Sequence, residues 1–106
     1  MNLQKMMKQA QEMQSKIAAA QANIEAQEID GAAGGGLVSL RINGKNNLLK
    51  IKIDDSLMKL EEKDMLEDLI VAAFNDAREK LDSSAASQMS AVTSGMNLPP
   101  GIKLPF

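Results

Sequence analysis

Seven cations in two clusters are the residues on which this chain could do chemistry. Lys5, Lys8 and Lys16 stand among Gln4, Gln9, Gln11 and Gln14 near the N-terminus. Arg41, Lys45, Lys50 and Lys52 stand within residues 37–53, a stretch with no acid at all. Ammonium and guanidinium groups neutralise phosphate, and glutamine reaches both phosphates and base edges. Other candidates are weaker. Asp64 with Asp68, or Glu61 with Asp64, are carboxylates at helical spacing that could touch a divalent ion. Compensation of a helix dipole explains them more simply, so no metal is expected. Ala33-Gly34-Gly35-Gly36 lacks both the Gly-Lys-Ser/Thr of a phosphate loop and a helix directly after it, and reads as a strand connection.

The inventory removes most enzymatic chemistry. The 106 residues include no Cys, His, Trp or Tyr and only two Phe, Phe74 and Phe106. There is no thiolate, no imidazole base or metal ligand, and no side chain whose unperturbed pKa lies near neutrality. A catalyst would have only Asp, Glu, Lys and Ser, so the chain is expected to be non-enzymatic, with no cofactor and no small-molecule substrate. Stacking platforms for single strands need aromatic side chains, and Phe74 falls on an apolar helix face, so duplex binding is the more natural nucleic-acid function. Lys5, Lys8 and Gln4 interrupt the N-terminal apolar residues, and no charge-free apolar run approaches the ~20 residues of a membrane span. A cytoplasmic protein without a membrane partner is the expectation.

The elements that position these cations follow from periodicity. Residues 2–27 lack Gly and Pro, and Leu3, Met6, Ala10, Met13, Ile17, Ala20 and Ile24 form a heptad seam, predicting one long helix. At ~1.5 Å per residue it would approach 40 Å, against a radius of gyration of ~13 Å for a compact globule of this size. One end must project or lie on a partner. Strands are predicted at about 28–31, 37–43 and 48–54. The last two form a hairpin with a Gly44–Asn47 loop, pairing Ile42 with Leu49, Leu40 with Ile51 and Val38 with Ile53. That register sets Arg41 opposite Lys50 on the other face. A second helix over about 61–88 carries Met65, Leu66, Leu69, Ile70, Ala73, Phe74, Ala77 and Leu81 on a broad apolar face. Residues 1–94 thus read as one α+β domain of order α-β-β-β-α, long helices packed with a small antiparallel sheet. Residues 95–106, with Pro99-Pro100-Gly101, read as a tail. The seam and the broad face exceed what three short strands can cover, which predicts a homodimer.

These residues resemble a known family. Met6-Met7-Lys8-Gln9-Ala10-Gln11-Glu12-Met13-Gln14 is similar to the opening of the YbaB/EbfC family of bacterial nucleoid-associated proteins. The similarity continues through Gly34-Gly35-Gly36-Leu37-Val38, Ile42-Asn43-Gly44-Lys45 and Ile51-Lys52-Ile53-Asp54. It extends to Met65-Leu66-Glu67-Asp68-Leu69-Ile70, Ala72-Ala73-Phe74-Asn75-Asp76-Ala77 and the closing Leu98-Pro99-Pro100-Gly101-Ile102-Lys103-Leu104-Pro105-Phe106. No one motif is specific, but their order covers essentially the whole chain. The resemblance implies a homodimer with helices projecting like tweezer arms. It also implies duplex DNA bound with little or moderate sequence preference at the nucleoid, and it favours Lys8 as a contact.

Net charge is −2 and the pI about 5.1, which argues mildly against a phosphate ligand. The distribution says more. Residues 1–24 carry Lys5, Lys8 and Lys16 against Glu12, while residues 25–36 carry only the acids Glu25, Glu28 and Asp30. Residues 37–53 are net +4, and residues 54–82 hold ten acids against four bases. The N-terminal cations are either DNA contacts or a solvated helix face. The hairpin cations either meet phosphate or pair with Asp54, Asp55 or the acidic second helix. The leading reading is a dimer holding DNA along its first-helix arms with support from the hairpin. The alternative is a dimeric protein–protein adaptor using its arms and tail.

Overall fold

Asn2 starts the chain's first helix: in the computed structural model, which describes residues 2–94, its side-chain oxygen accepts the Gln4 amide at 3.1 Å and the Lys5 amide at 3.4 Å. The helix, α1, runs Leu3–Ala26. Strands β1 (Glu28–Ala33), β2 (Val38–Asn43) and β3 (Leu48–Ile53) follow, then α2 (Lys63–Ser94). The fold is α+β, with an antiparallel sheet in the order β1-β2-β3. The tail expected at 95–106 lies outside the described residues, as does Met1.

Several boundaries differ from the sequence reading. Gly31 lies inside β1 instead of ending it, because the strand needs a residue without a side chain there. A Cβ at Gly31 would overlap the Ala73 carbonyl oxygen and the Ala77 backbone nitrogen and Cβ. The second helix starts at Lys63, not Glu61, because Asp55–Leu57 and Leu60–Glu62 form short 3-10 turns. It also continues to Ser94, past the expected end near 88. The Ser-Ala-Gln segment stays helical because part of it packs: Met89 is buried, and Ser84 and Gln88 bond to Gln27.

The hairpin loop is one residue shorter than predicted. Asn43 pairs with Asn47 (N–H to O, 3.0 Å), leaving Gly44, Lys45 and Asn46 as the turn, with Asn46 in the left-handed region at φ 66. The Asn43 side chain accepts the Lys45 and Asn47 amides at 2.8 and 3.0 Å. Ile42 therefore faces Leu48, not Leu49. A bulge then takes up Leu49, so Arg41 faces Lys50, Leu40 faces Ile51 and Val38 faces Ile53. Two one-residue shifts cancel, and the register of the cations is the one the pattern indicated.

Ile29, Val38, Leu40, Ile42 and Leu57 form the core with Ala73, Ala77 and Leu81 of α2. α2 lies over β1 and β2, so β3 keeps Leu49 47% and Ile51 40% exposed on the apolar side. The described chain is long and thin, 72 × 24 × 17 Å with a radius of gyration of 19.9 Å. A compact chain of 100 residues would give about 13 Å.

Gly31→Ala is expected to push α2 off β1 and destabilise the fold by ~1–3 kcal/mol, the usual cost of overpacking. Gly35→Ala, at φ 68 but with no atom within 4 Å of the added methyl, should cost only the ~1–2 kcal/mol of left-handed backbone. Urea unfolding followed by circular dichroism checks both. An unshifted midpoint for Gly31→Ala would mean that the helix is not seated on that glycine.

Candidate nucleic-acid interface

The first cluster sits on a helix that projects. Residues 2–12 are all exposed, Leu3 at 68% and Met6 at 50%, and the first buried residue of α1 is Ala20. The C-terminal end is anchored. Ile24 packs on the sheet core, and the backbone at Ile24 and Glu25 lies so close to Gly44 that no Cβ fits there. Gln27, just past the helix, forms a polar knot with α2: its Nε2 donates to Ser84 Oγ at 2.9 Å, and its Oε1 accepts from Gln88 Nε2 at 3.0 Å. From that joint α2 continues only ten residues to Ser94, or ~15 Å, whereas α1 extends ~36 Å. Lys5 and Lys8 therefore stand on unsupported helix. Lys5, Lys8 and Lys16 are exposed and make no ion pair among the described residues. Glu12, four residues from both Lys8 and Lys16, pairs with neither.

The second cluster lies on the sheet face opposite α2. The cross-strand register brings Arg41 beside Lys50, and Ser39 beside Lys52. Arg41 pairs with neither Asp54, Asp55 nor α2. Its partner is Asp30, directly opposite on β1, with Nε to Oδ1 at 2.7 Å and Nη2 to Oδ2 at 3.4 Å. No local sequence pattern sets the register of β1 against β2, so this partner is visible only in the fold. The pair holds the Asp30 carboxyl below its ordinary value and raises the Arg41 guanidinium further. Lys50 and Lys52 are exposed and unpaired among the described residues. Lys45 sits apart in the hairpin turn. Lys80, which carried no motif, joins this face from α2: its Nζ donates to the Asp30 carbonyl at 3.3 Å and pairs with Asp76 at 2.9 Å. Only the geometry of α2 over β1 could have shown it.

Asp76 also accepts the Ala32 amide at 3.0 Å, so Lys80 and then this amide lower its pKa. Asp54 is lowered chiefly by the Ser56 hydroxyl and amide of a local turn and to a lesser extent by the charge of Lys52, with which it forms no ion pair. Among the described residues no acidic group is clustered to hold a metal, and no helix is long and apolar enough to cross a membrane. The arrangement offers two exposed basic surfaces, one on the arm and one on the sheet. It does not bring them together: Lys16 lies eleven residues, or ~16 Å, from the helix end at Gln27.

Comparison with known proteins places this geometry in context. The sequence model of the YbaB/EbfC DNA-binding family matches residues 1–96. A nucleoid-associated protein of Granulibacter bethesdensis is 50% identical over 105 residues, 99% of this chain and 98% of its own length. One from Rickettsia bellii is 51% identical with the same coverage, and one from Brucella anthropi 50% identical over 95% and 94%. The crystal structure of an uncharacterized protein from Helicobacter pylori superposes with a TM-score of 0.71 at 22% identity, over 88% of this chain and 98% of that one, which shows the shared fold.

The lowered Asp76 sets a pH dependence. A carboxyl whose pKa falls on folding, here from 3.8, stabilises the fold above that value, and the contribution is lost as pH drops through the folded pKa. The wild type should therefore lose more stability than Asp76→Asn between about pH 4 and pH 2. Urea midpoints measured across that range check it, and parallel curves would show that the Lys80–Asp76–Ala32 contact does not couple to folding.

Proposed function

The chain belongs to the YbaB/EbfC DNA-binding family, as a DNA-binding protein of the nucleoid and not an enzyme, and from that premise we propose that it binds duplex DNA with low sequence preference as a homodimer. The observation that carries the reading is the arm itself. Lys5, Lys8 and Lys16 stand exposed and unneutralised on a helix whose first ten residues pack on nothing among the described residues. Phosphate contacts of this kind are indifferent to sequence, and the glutamines between them supply limited contact with base edges. Arg41, Lys45, Lys50 and Lys52 form a further exposed basic surface for phosphate on the hairpin. Glu61 in the turn before α2 and Asp64, Glu67 and Asp68 in its first turns are exposed and repel phosphate, so that end faces away from DNA. In the cytoplasm the protein would act at the nucleoid, altering DNA conformation.

Dimerisation draws support from the uneven treatment of the two sheet edges. β1 has its outward Ala32 amide and Asp30 carbonyl covered by Asp76 and Lys80. β3, the other edge, has Leu49, Ile51, and nearby Met58 and Leu60 exposed at 47, 40, 65 and 86%. An apolar open edge is a surface that natural proteins cover. A second copy of the same edge covers it symmetrically.

Charge reversal at Lys8 and Lys16 should weaken binding to a random-sequence duplex and flatten the log–log salt dependence by about 0.9 per lost phosphate contact. A salt titration with end-labelled DNA reads both, and an unchanged slope would remove the arm from the interface. Leu49→Lys with Ile51→Lys should convert the dimer to monomer in size-exclusion chromatography with light scattering. A mass unchanged from wild type would place the dimer contact elsewhere.

A further inference from the structure

The exposed sheet face is more than a set of surface lysines. Arg41, Lys50, Lys52 and Lys80 converge on one shallow open groove, with Ser39 and Ala32 in its floor and Asp30 on its wall. Asp30 grips the Nε side of Arg41, which fixes the guanidinium plane, and Asp76 with the Asp30 carbonyl fixes Lys80 at the rim. Lys50 sits directly opposite Arg41, and since Asp30 compensates Arg41 and Asp76 compensates Lys80, Lys50 and Lys52 are the groove's cations without an ion pair among the described residues. Nothing aromatic lines the groove, so its ligand is recognised by charge and not by stacking.

This groove and the arm are separate footprints. Between them lie Glu25 and Glu28, both exposed and unpaired among the described residues, within a stretch that carries no base between Lys16 and Arg41. A duplex lying on the arm would have to cross that acidic belt to reach the groove. Screening in physiological salt acts over ~8 Å, so the two basic surfaces do not merge into one potential. We propose that the groove formed by Arg41, Lys50, Lys52 and Lys80 binds the sugar-phosphate backbone of a second DNA segment, so that the protein bridges duplexes. The inference rests on the DNA-binding reading and adds to it a second site, a new contact in Lys80, and a bridging activity.

The test uses the full chain, a biotinylated random-sequence duplex on beads, and a labelled free duplex of the same length. Two outputs are read: protein retained by the bead duplex, and labelled duplex captured through that protein. The sheet variant is K50Q/K52Q/K80Q, in which the glutamine replacing Lys80 keeps an amide donor for the Asp30 carbonyl. The control K59Q/K63Q/R78Q removes the same charge from exposed positions outside the groove. The wild type and the control should both capture labelled duplex. In the sheet variant, labelled duplex captured per retained protein should fall by roughly tenfold, as expected for several lost phosphate contacts. An unchanged ratio overturns the proposal. So does retention that falls in the same proportion as capture, because the groove would then contact the duplex already held by the arm. Wild-type protein that is not retained at all overturns the DNA-binding reading, and this inference with it.

Discussion

The structure depends on how closely α2 approaches β1. Gly31 meets the helix at Ala73 and Ala77, both fully buried, with no side chain between the two backbones. This contact decides which part of the sheet the helix covers. With its axis drawn over β1 and β2, α2 has no width left for β3, whose apolar residues stay uncovered. The same approach carries Asp76 and Lys80 to the outer edge of β1, where they cover the Ala32 amide and the Asp30 carbonyl. One glycine thus closes one edge of the sheet and leaves the other open.

A second close contact fixes the arm. Gly44 in the hairpin turn lies against the backbone of Ile24 and Glu25, and Asn46 takes the left-handed conformation that lets the turn be so tight. With Gln27 bonded to Ser84 and Gln88, the end of α1 is held from two sides. The remainder of α1 then leaves the body at a fixed place. An isolated helix of a few turns is marginal in water, and this one relies on Asn2 capping and on good helix formers such as Gln, Lys, Met and Ala. The absence of Gly and Pro from residues 2–27 is therefore a requirement of the arm, not a compositional accident.

The order of elements, the projecting helix and the two cation clusters were legible in the sequence because each rests on a local period or a local composition. The pairing of Arg41 with Lys50 and of Leu40 with Ile51 was legible too, although for a partly mistaken reason: a loop counted one residue too long was offset by the unseen bulge at Leu49. What local reasoning missed were contacts between distant segments. Ala32 and Ala33 read as part of the break before Gly34, because propensity describes a segment alone, and nothing local says that Gly31 admits Ala73 and Ala77. The partnership of Asp30 with Arg41 follows from the register of β1 against β2, which no local pattern prescribes. Lys80 and Asp76 belong to an acid-rich helix, and nothing in their spacing says that they face a strand edge. The continuation of α2 past the expected end near 88 to Ser94 likewise accompanies packing, with Met89 buried, against a Ser-rich composition.

The net charge of −2 describes the whole chain, but no phosphate meets the whole chain. At physiological ionic strength a charge is felt over ~8 Å, about one-ninth of the long dimension of this molecule, 72 Å. Within that range along α1, Lys8 has one acid, Glu12, and Lys5 has none, because the rest of the acids belong to the joint, the sheet edge, the turns after β3 and α2. A compact fold of the same composition would place those acids near every lysine and cancel the positive potential. Elongation prevents this. The long first helix takes three lysines away from the acidic body, and the sheet turns its cations to the face that α2 leaves free. Shape therefore lets an acidic chain keep basic surfaces, and the charge pattern can be read only together with the distance over which the fold spreads it.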